Sequence, residues 1–146
     1  MENRIADLLL VEDNPYDAEL TLSALRQKNL ANNLEHVEDG AEALDFIYAR
    51  GKFESRKGKP LPRLILLDLK MPKVNGIEVI EKLKADPLTK TIPIVVLTSS
   101  AEDPDIKRCY ALGVNSYIVK PVDFEDFIAA IIDVGMYWLL LNKAPK

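Results

Sequence analysis

Four short apolar runs, each closed by a polar residue, constrain this chain more than any other feature. Leu8-Leu9-Leu10-Val11 runs into Glu12-Asp13, and Leu64-Ile65-Leu66-Leu67 into Asp68. Ile94-Val95-Val96-Leu97 runs into Thr98-Ser99, and Tyr117-Ile118-Val119 into Lys120-Pro121. Runs this short and this uniformly apolar fit strands covered on both faces. Segments with helical spacing lie between them, and that alternation predicts a parallel sheet between two helix layers. Parallel strands bring their carboxyl ends to one edge, where open α/β sheets bind ligands.

The helices have start and stop signals. Asn14 caps a helix with Pro15 at its first position, running to about Lys28 with Ala18, Leu22 and Leu25 on one face. A further strand is expected over 34–37. Asp39-Gly40 opens a second helix carrying Ala43, Leu44, Ile47 and Tyr48. Residues 50–63, broken by Gly51, Gly58, Pro60 and Pro62, read as a loop with six basic residues and one acid. A third helix starts near Asn75-Gly76 and ends at Asp86-Pro87. A fourth starts at Asp103-Pro104 and is capped by Gly113. Asp123 caps the last helix, which reaches Leu141 and would be about 27 Å long. Five strands and five helices make a single domain over 1–146, with an extended C-terminal helix and no effector domain.

A net charge of −4 argues against nucleic acid as a partner. The one cysteine, Cys109, excludes an intramolecular disulfide and reads as a packing residue. Met1-Glu2-Asn3-Arg4 lacks the basic opening of a signal peptide. The stretch from Val122 to Asn142 contains Asp123, Glu125, Asp126 and Asp133, so no membrane span is expected. These features together predict a cytoplasmic protein.

The strand-end residues suit phosphoryl transfer. Asp68 is the candidate nucleophile, since a carboxylate can attack phosphorus and form an acyl phosphate. An anionic donor would be repelled by it, and Glu12 and Asp13 answer this by recruiting a hard cation such as Mg2+. Lys120 can pair with Asp68 at rest and with a phosphoryl oxygen afterwards, and the Thr98 hydroxyl can donate to another oxygen. Each residue alone is an ordinary turn former, cap or surface group. Their shared position at four strand ends carries the reading. His36 reads as structural.

Leu10-Val11-Glu12-Asp13-Asn14, the run from Leu66 through Asp68 to Gly76, Val96-Leu97-Thr98-Ser99-Ser100 and Lys120-Pro121 resemble the receiver domain of two-component response regulators. The resemblance implies a flavodoxin-like (βα)5 three-layer sandwich with strand order 2-1-3-4-5. It implies Asp68 as phosphoacceptor from a sensor histidine kinase, with Glu12, Asp13, Asp68 and the Lys70 backbone carbonyl on Mg2+. Thr98 and Tyr117 would form the switch, Lys120 would be the phosphate partner, and the Lys120–Pro121 bond would be cis. The long loop at 50–63 and the aromatic C-terminal run resemble the small stand-alone regulators of bacterial and cyanobacterial phytochrome kinases. Output would pass to a downstream protein or phosphotransfer partner.

Two competing functions remain at this level. An aspartate-nucleophile phosphatase would want a second Asp two residues after Asp68, where Lys70 stands. A pseudo-receiver scaffold would not need the complete site. No phosphate-cradling glycine motif is present for a nucleotide. The run Met136-Tyr137-Trp138-Leu139-Leu140-Leu141 is apolar all round, either covered by the domain itself or exposed as a homodimer or partner surface.

Overall fold

The computed structural model describes residues 8–30, 33–71, 74–121 and 123–143. The expectations attached to Met1-Glu2-Asn3-Arg4, to Pro72 and Lys73 of the second motif and to Val122 lie outside them. The strands are β1 (Leu8–Val11), β2 (Leu34–Val37), β3 (Leu64–Leu67), β4 (Ile94–Thr98) and β5 (Ser116–Val119). The α-helices are α1 (Pro15–Gln27), α2 (Gly40–Ile47), α3 (Gly76–Ala85), α4 (Asp103–Leu112) and α5 (Phe124–Gly135). All strand pairs are parallel and the order is β2-β1-β3-β4-β5, the expected flavodoxin-like three-layer arrangement.

The all-apolar strands are explained by two cores. Leu9, Val11, Ile65, Leu67, Ile94 and Val96 point to one face, where Phe46, Val79, Ile80, Leu83 and Cys109 from α2, α3 and α4 cover them. Leu8, Leu10, Leu64, Leu66, Val95 and Leu97 point to the other, under Ala18 and Leu25 of α1 and Phe127 and Ile131 of α5. A strand's period of two sends alternate residues to opposite faces, so both sets must be apolar.

Two expectations are corrected. Within the loop at 50–63, Gly51–Arg56 form a 3-10 segment. Tertiary contacts order it: the Phe53 ring meets Phe46 edge-on at 5.2 Å, and the Arg56 guanidinium lies 3.6 Å over the Phe46 ring. The last helix is not one uniform α-helix to Leu141, because Met136–Leu141 continue it as a wider π-helical turn. Just before that turn, Gly135 lets α5 approach α1 closely. A β-carbon there would stand 2.7 Å from Leu25 Cδ2.

Chain order changes direction between β1 and β3, so the crevice of this fold opens at the ends of those two strands. Gly76 braces that crevice from below. Asn75 caps α3 through a reciprocal bond pair with Glu78, and the Gly76 amide donates to the Leu69 carbonyl. A β-carbon at Gly76 would stand 2.6 Å from both the Asp68 carbonyl oxygen and Leu69 Cα. These are backbone atoms and cannot swing aside. Gly76→Ala should cost about 1–3 kcal/mol, as overpacking does, read as a lower urea midpoint. An unchanged midpoint would mean that α3 shifts without cost.

Candidate functional site

Register brings the predicted residues together. Val11 pairs with Leu67 across β1 and β3, so Glu12 and Asp68 emerge side by side. The Asp68 amide donates to the Val11 carbonyl at 3.0 Å, and the Glu12 amide to the Val37 carbonyl at 3.0 Å. His36 fixes the same corner, its Nε2 lying 2.8 Å from the Glu12 carbonyl oxygen, the structural role expected of it. Carboxylate oxygens of Glu12, Asp13 and Asp68 all lie within 4.8 Å of one another. Glu12 and Asp68 are buried, while Asp13 is exposed. Asp13 lines an open cleft of about 470 Å3 with Lys70, Met71, Asn75, Ile77 and Asp105.

Lys120 closes the cluster. Its Nζ lies 2.8 Å from Glu12 Oε1, 2.8 Å from Asp17 Oδ2 and 3.2 Å from Asp68 Oδ2. The pairing with Asp68 is as expected, but it is the longest of the three. Asp17 is the residue that sequence reasoning missed. It lies in the first turn of α1, where an acid already suits the helix dipole, and nothing local signals a partner 103 positions away. The Lys120 amide donates to the Thr98 carbonyl at 2.7 Å, carrying the β4–β5 ladder up to the proline. The expected cis bond at Lys120–Pro121 is absent, since no cis peptide bond occurs among the described residues. The trans form is the lower-energy one for X-Pro.

The hydroxyls lie apart from the carboxylates. Thr98 is fully buried, and its Oγ1 accepts from the Ser100 amide at 3.4 Å. The Tyr117 hydroxyl donates to the Ser100 carbonyl at 2.8 Å, and Ser100 Oγ donates to Asp105 Oδ2 at 2.6 Å. Among the described residues neither Thr98 nor Tyr117 bonds to Glu12, Asp13 or Asp68. Lys70 is exposed, and its amide donates to Asp68 Oδ1 at 3.2 Å.

Burial sets the electrostatics. Desolvation pushes Glu12 up to about 7, against the lowering effect of its bond to Lys120, and the Asp68 charge adds a smaller upward push. Burial alone would lower Lys120, but its bonds to Asp17 and Glu12 and the Glu12 and Asp68 charges outweigh it, so it titrates above its ordinary range. Lys120 is therefore a fixed cation, while Glu12 gains and loses its proton around neutrality. Burial, aided by Asp105, pushes the Cys109 thiol up to about 11, which keeps it neutral and inert, as a packing residue should be. Three hard oxygen donors on two backbone segments, after β1 and after β3, two of them buried, suit a hard divalent cation, which would remove the penalty of charging Glu12.

Because the folded chain holds the Glu12 proton more tightly than the unfolded chain, folding takes up protons between the ordinary carboxylate range and about pH 7. Metal-free stability should therefore fall as pH rises from about 5 to about 8. Glu12→Gln should flatten that slope in urea titrations run in a chelator. A slope unchanged in Glu12→Gln would assign the proton elsewhere.

Similarity to known proteins agrees with this geometry. Residues 8–132 match the response regulator receiver domain. The probable methanogenesis regulatory protein FilR2 of Methanothrix harundinacea is 40% identical over 94% of this chain and 86% of its own length. The crystal structure of the phosphorylated cyanobacterial phytochrome response regulator RcpA superposes with a TM-score of 0.89 at 34% identity, covering 97% of this chain and 99% of that one. The Mn2+-bound form of response regulator Rcp1 superposes with a TM-score of 0.88 at 35% identity, covering 97% and 99%. With a fold, a strand-end carboxylate cluster and a family match over most of its length, this chain belongs to the response regulator receiver domain family.

Proposed function

We propose that this chain is a phosphorylation switch in which Asp68 accepts a phosphoryl group from a histidine kinase. The observation that carries this reading is the buried Asp68 carboxylate, held between two further acids and the Lys120 ammonium. One Asp68 oxygen attacks the phosphorus of a phosphohistidine. The P–O bond forms as the P–N bond breaks, and the imidazole leaves with the electron pair. Glu12, Asp13, Asp68 and the Lys70 carbonyl would hold Mg2+. The metal supplies charge neutralisation at the phosphoryl oxygens. Lys120 exchanges its carboxylate partners for a phosphoryl oxygen. Thr98 turns its hydroxyl toward the same group, and the space it vacates admits the Tyr117 ring once its bond to Ser100 is released. Phosphorylation thus biases two states of the surface around α4, β5 and α5.

The kinase is proposed to be of the phytochrome type, on the likeness to RcpA. No helix among the described residues is long and apolar enough to cross a membrane, and we place the exchange in the cytoplasm. The C-terminal turn serves two purposes. Leu139 is buried and Trp138 packs on the α1–α5 core, while Tyr137, Leu140 and Leu141 are exposed. This exposed set forms the homodimer surface in our reading. The signal leaves through protein contact or onward phosphotransfer.

Intact mass after incubation with Mg2+ and a small phosphodonor should rise by one phosphoryl group. The rise should vanish in Asp68→Asn and in chelator. An unlabelled wild-type protein, with a cognate kinase also failing to label it, would overturn the assignment. The double substitution Leu140→Glu and Leu141→Glu should leave labelling intact and shift the protein to a monomer in light scattering. A wild type that is already monomeric at high concentration, before and after labelling, would remove the dimer.

A further inference from the structure

The end of the molecule opposite the acidic cluster carries a second set of concavities. The middle one, about 360 Å3, is lined by Ile47, Tyr48, Leu61 and Leu88, with Arg56, Lys57 and Lys59 on its rim. It shares Tyr48 with a hollow of about 540 Å3 beside Arg50 and Lys82. It shares Leu61 and Leu88 with one of about 220 Å3 beside Arg63. The three adjoin one another through these shared residues, across the base of α2, the 51–63 segment and the turn before β4, and are called the groove below.

The walls are held in place. Arg56 stacks on Phe46 and donates to the Phe46 and Pro60 carbonyls. The Tyr48 hydroxyl donates to Asp86 Oδ2 at 3.1 Å, and Asp86 Oδ1 accepts from the Leu88 amide at 2.9 Å. Ala49 sits in the left-handed region at φ 53°, an uncommon state for a residue with a β-carbon. Leu88 is 79% exposed, more than any other large apolar side chain described.

Charge selects the occupant. Six cations line the groove against a single acid, Asp86, whose carboxylate is already used. Arg50 is paired with Asp45, whereas Lys57 stands 3.9 Å from a well-exposed Glu54 and Lys59 has no ion pair among the described residues. Its division into three adjoining hollows by Tyr48, Leu61 and Leu88 suits a polypeptide better than a compact small molecule. We propose that this groove docks an extended acidic segment of a partner protein, which seats one aromatic or aliphatic side chain against Tyr48, Leu61 and Leu88.

The test is an amide NMR titration of the full chain with a capped Asp-Glu-Trp-Glu-Asp peptide. Two control peptides replace Trp by Ala or the acids by Lys, and indole-3-propionate serves as a free small acid. Shifts are expected at Ala49, Gly58 and Leu61 with the acidic Trp peptide, weakening as salt rises. Reversing Lys57 and Lys59 to Glu should weaken binding about tenfold, and Leu88→Ala should weaken it further. All three side chains are on the surface, so these variants keep the fold. Absence of shifts at these amides would overturn the proposal, as would equal binding of the Ala peptide. Indole-3-propionate binding as tightly as the peptide would reassign the groove to a small acid.

Discussion

A single ammonium group holds the functional edge together. Lys120 Nζ lies within 3.2 Å of carboxylates that follow β1, begin α1 and follow β3. Glu12 and Asp68 are buried side by side, and the Lys120 charge offsets the repulsion between them. The side chain that supplies the charge comes from the end of β5, at the far side of the sheet order from β2. Its position depends on the whole β1-β3-β4-β5 register being correct. A register error of one residue in any of these ladders would turn the strand's core residues to the wrong face and move its terminal polar residue away. Folding and assembly of the site are therefore one event.

The cluster also couples to pH. Burial raises Glu12 to about 7, so it changes charge across neutrality. A metal held by Glu12 would displace the carboxyl proton, linking cation uptake to proton release. One carboxylate would thus make the site responsive both to a bound divalent cation and to pH.

What the sequence reveals and conceals follows from the range of the interactions. The strands are legible because both of their faces are buried, which forces apolar residues at consecutive positions. Asn14, Asn75 and Asp123 are legible as caps because a cap is satisfied within three residues, and each accepts the expected amide bonds. Asp17 is illegible because its local role at a helix N-terminus hides its distant one. The 3-10 segment at Gly51–Arg56 depends on Phe46 and Phe53 meeting across a turn, and no local pattern encodes that meeting. The exposed and covered halves of Met136–Leu141 could not be separated by composition, since every residue there is apolar. Their division is set by tertiary packing, with Trp138 and Leu139 against the α1–α5 core and Tyr137, Leu140 and Leu141 turned outward.

The bond from Tyr117 to Ser100 has a mutational consequence. Its acceptor is a main-chain carbonyl, present whatever side chain occupies position 100. The hydroxyl of Ser100 is committed elsewhere, to Asp105. Substitution at position 100 can therefore retune the start of α4 while the tether on the aromatic ring keeps its partner. The two contacts share one residue but are chemically independent, so a change in the Ser100 side chain can alter one and leave the acceptor of the other in place.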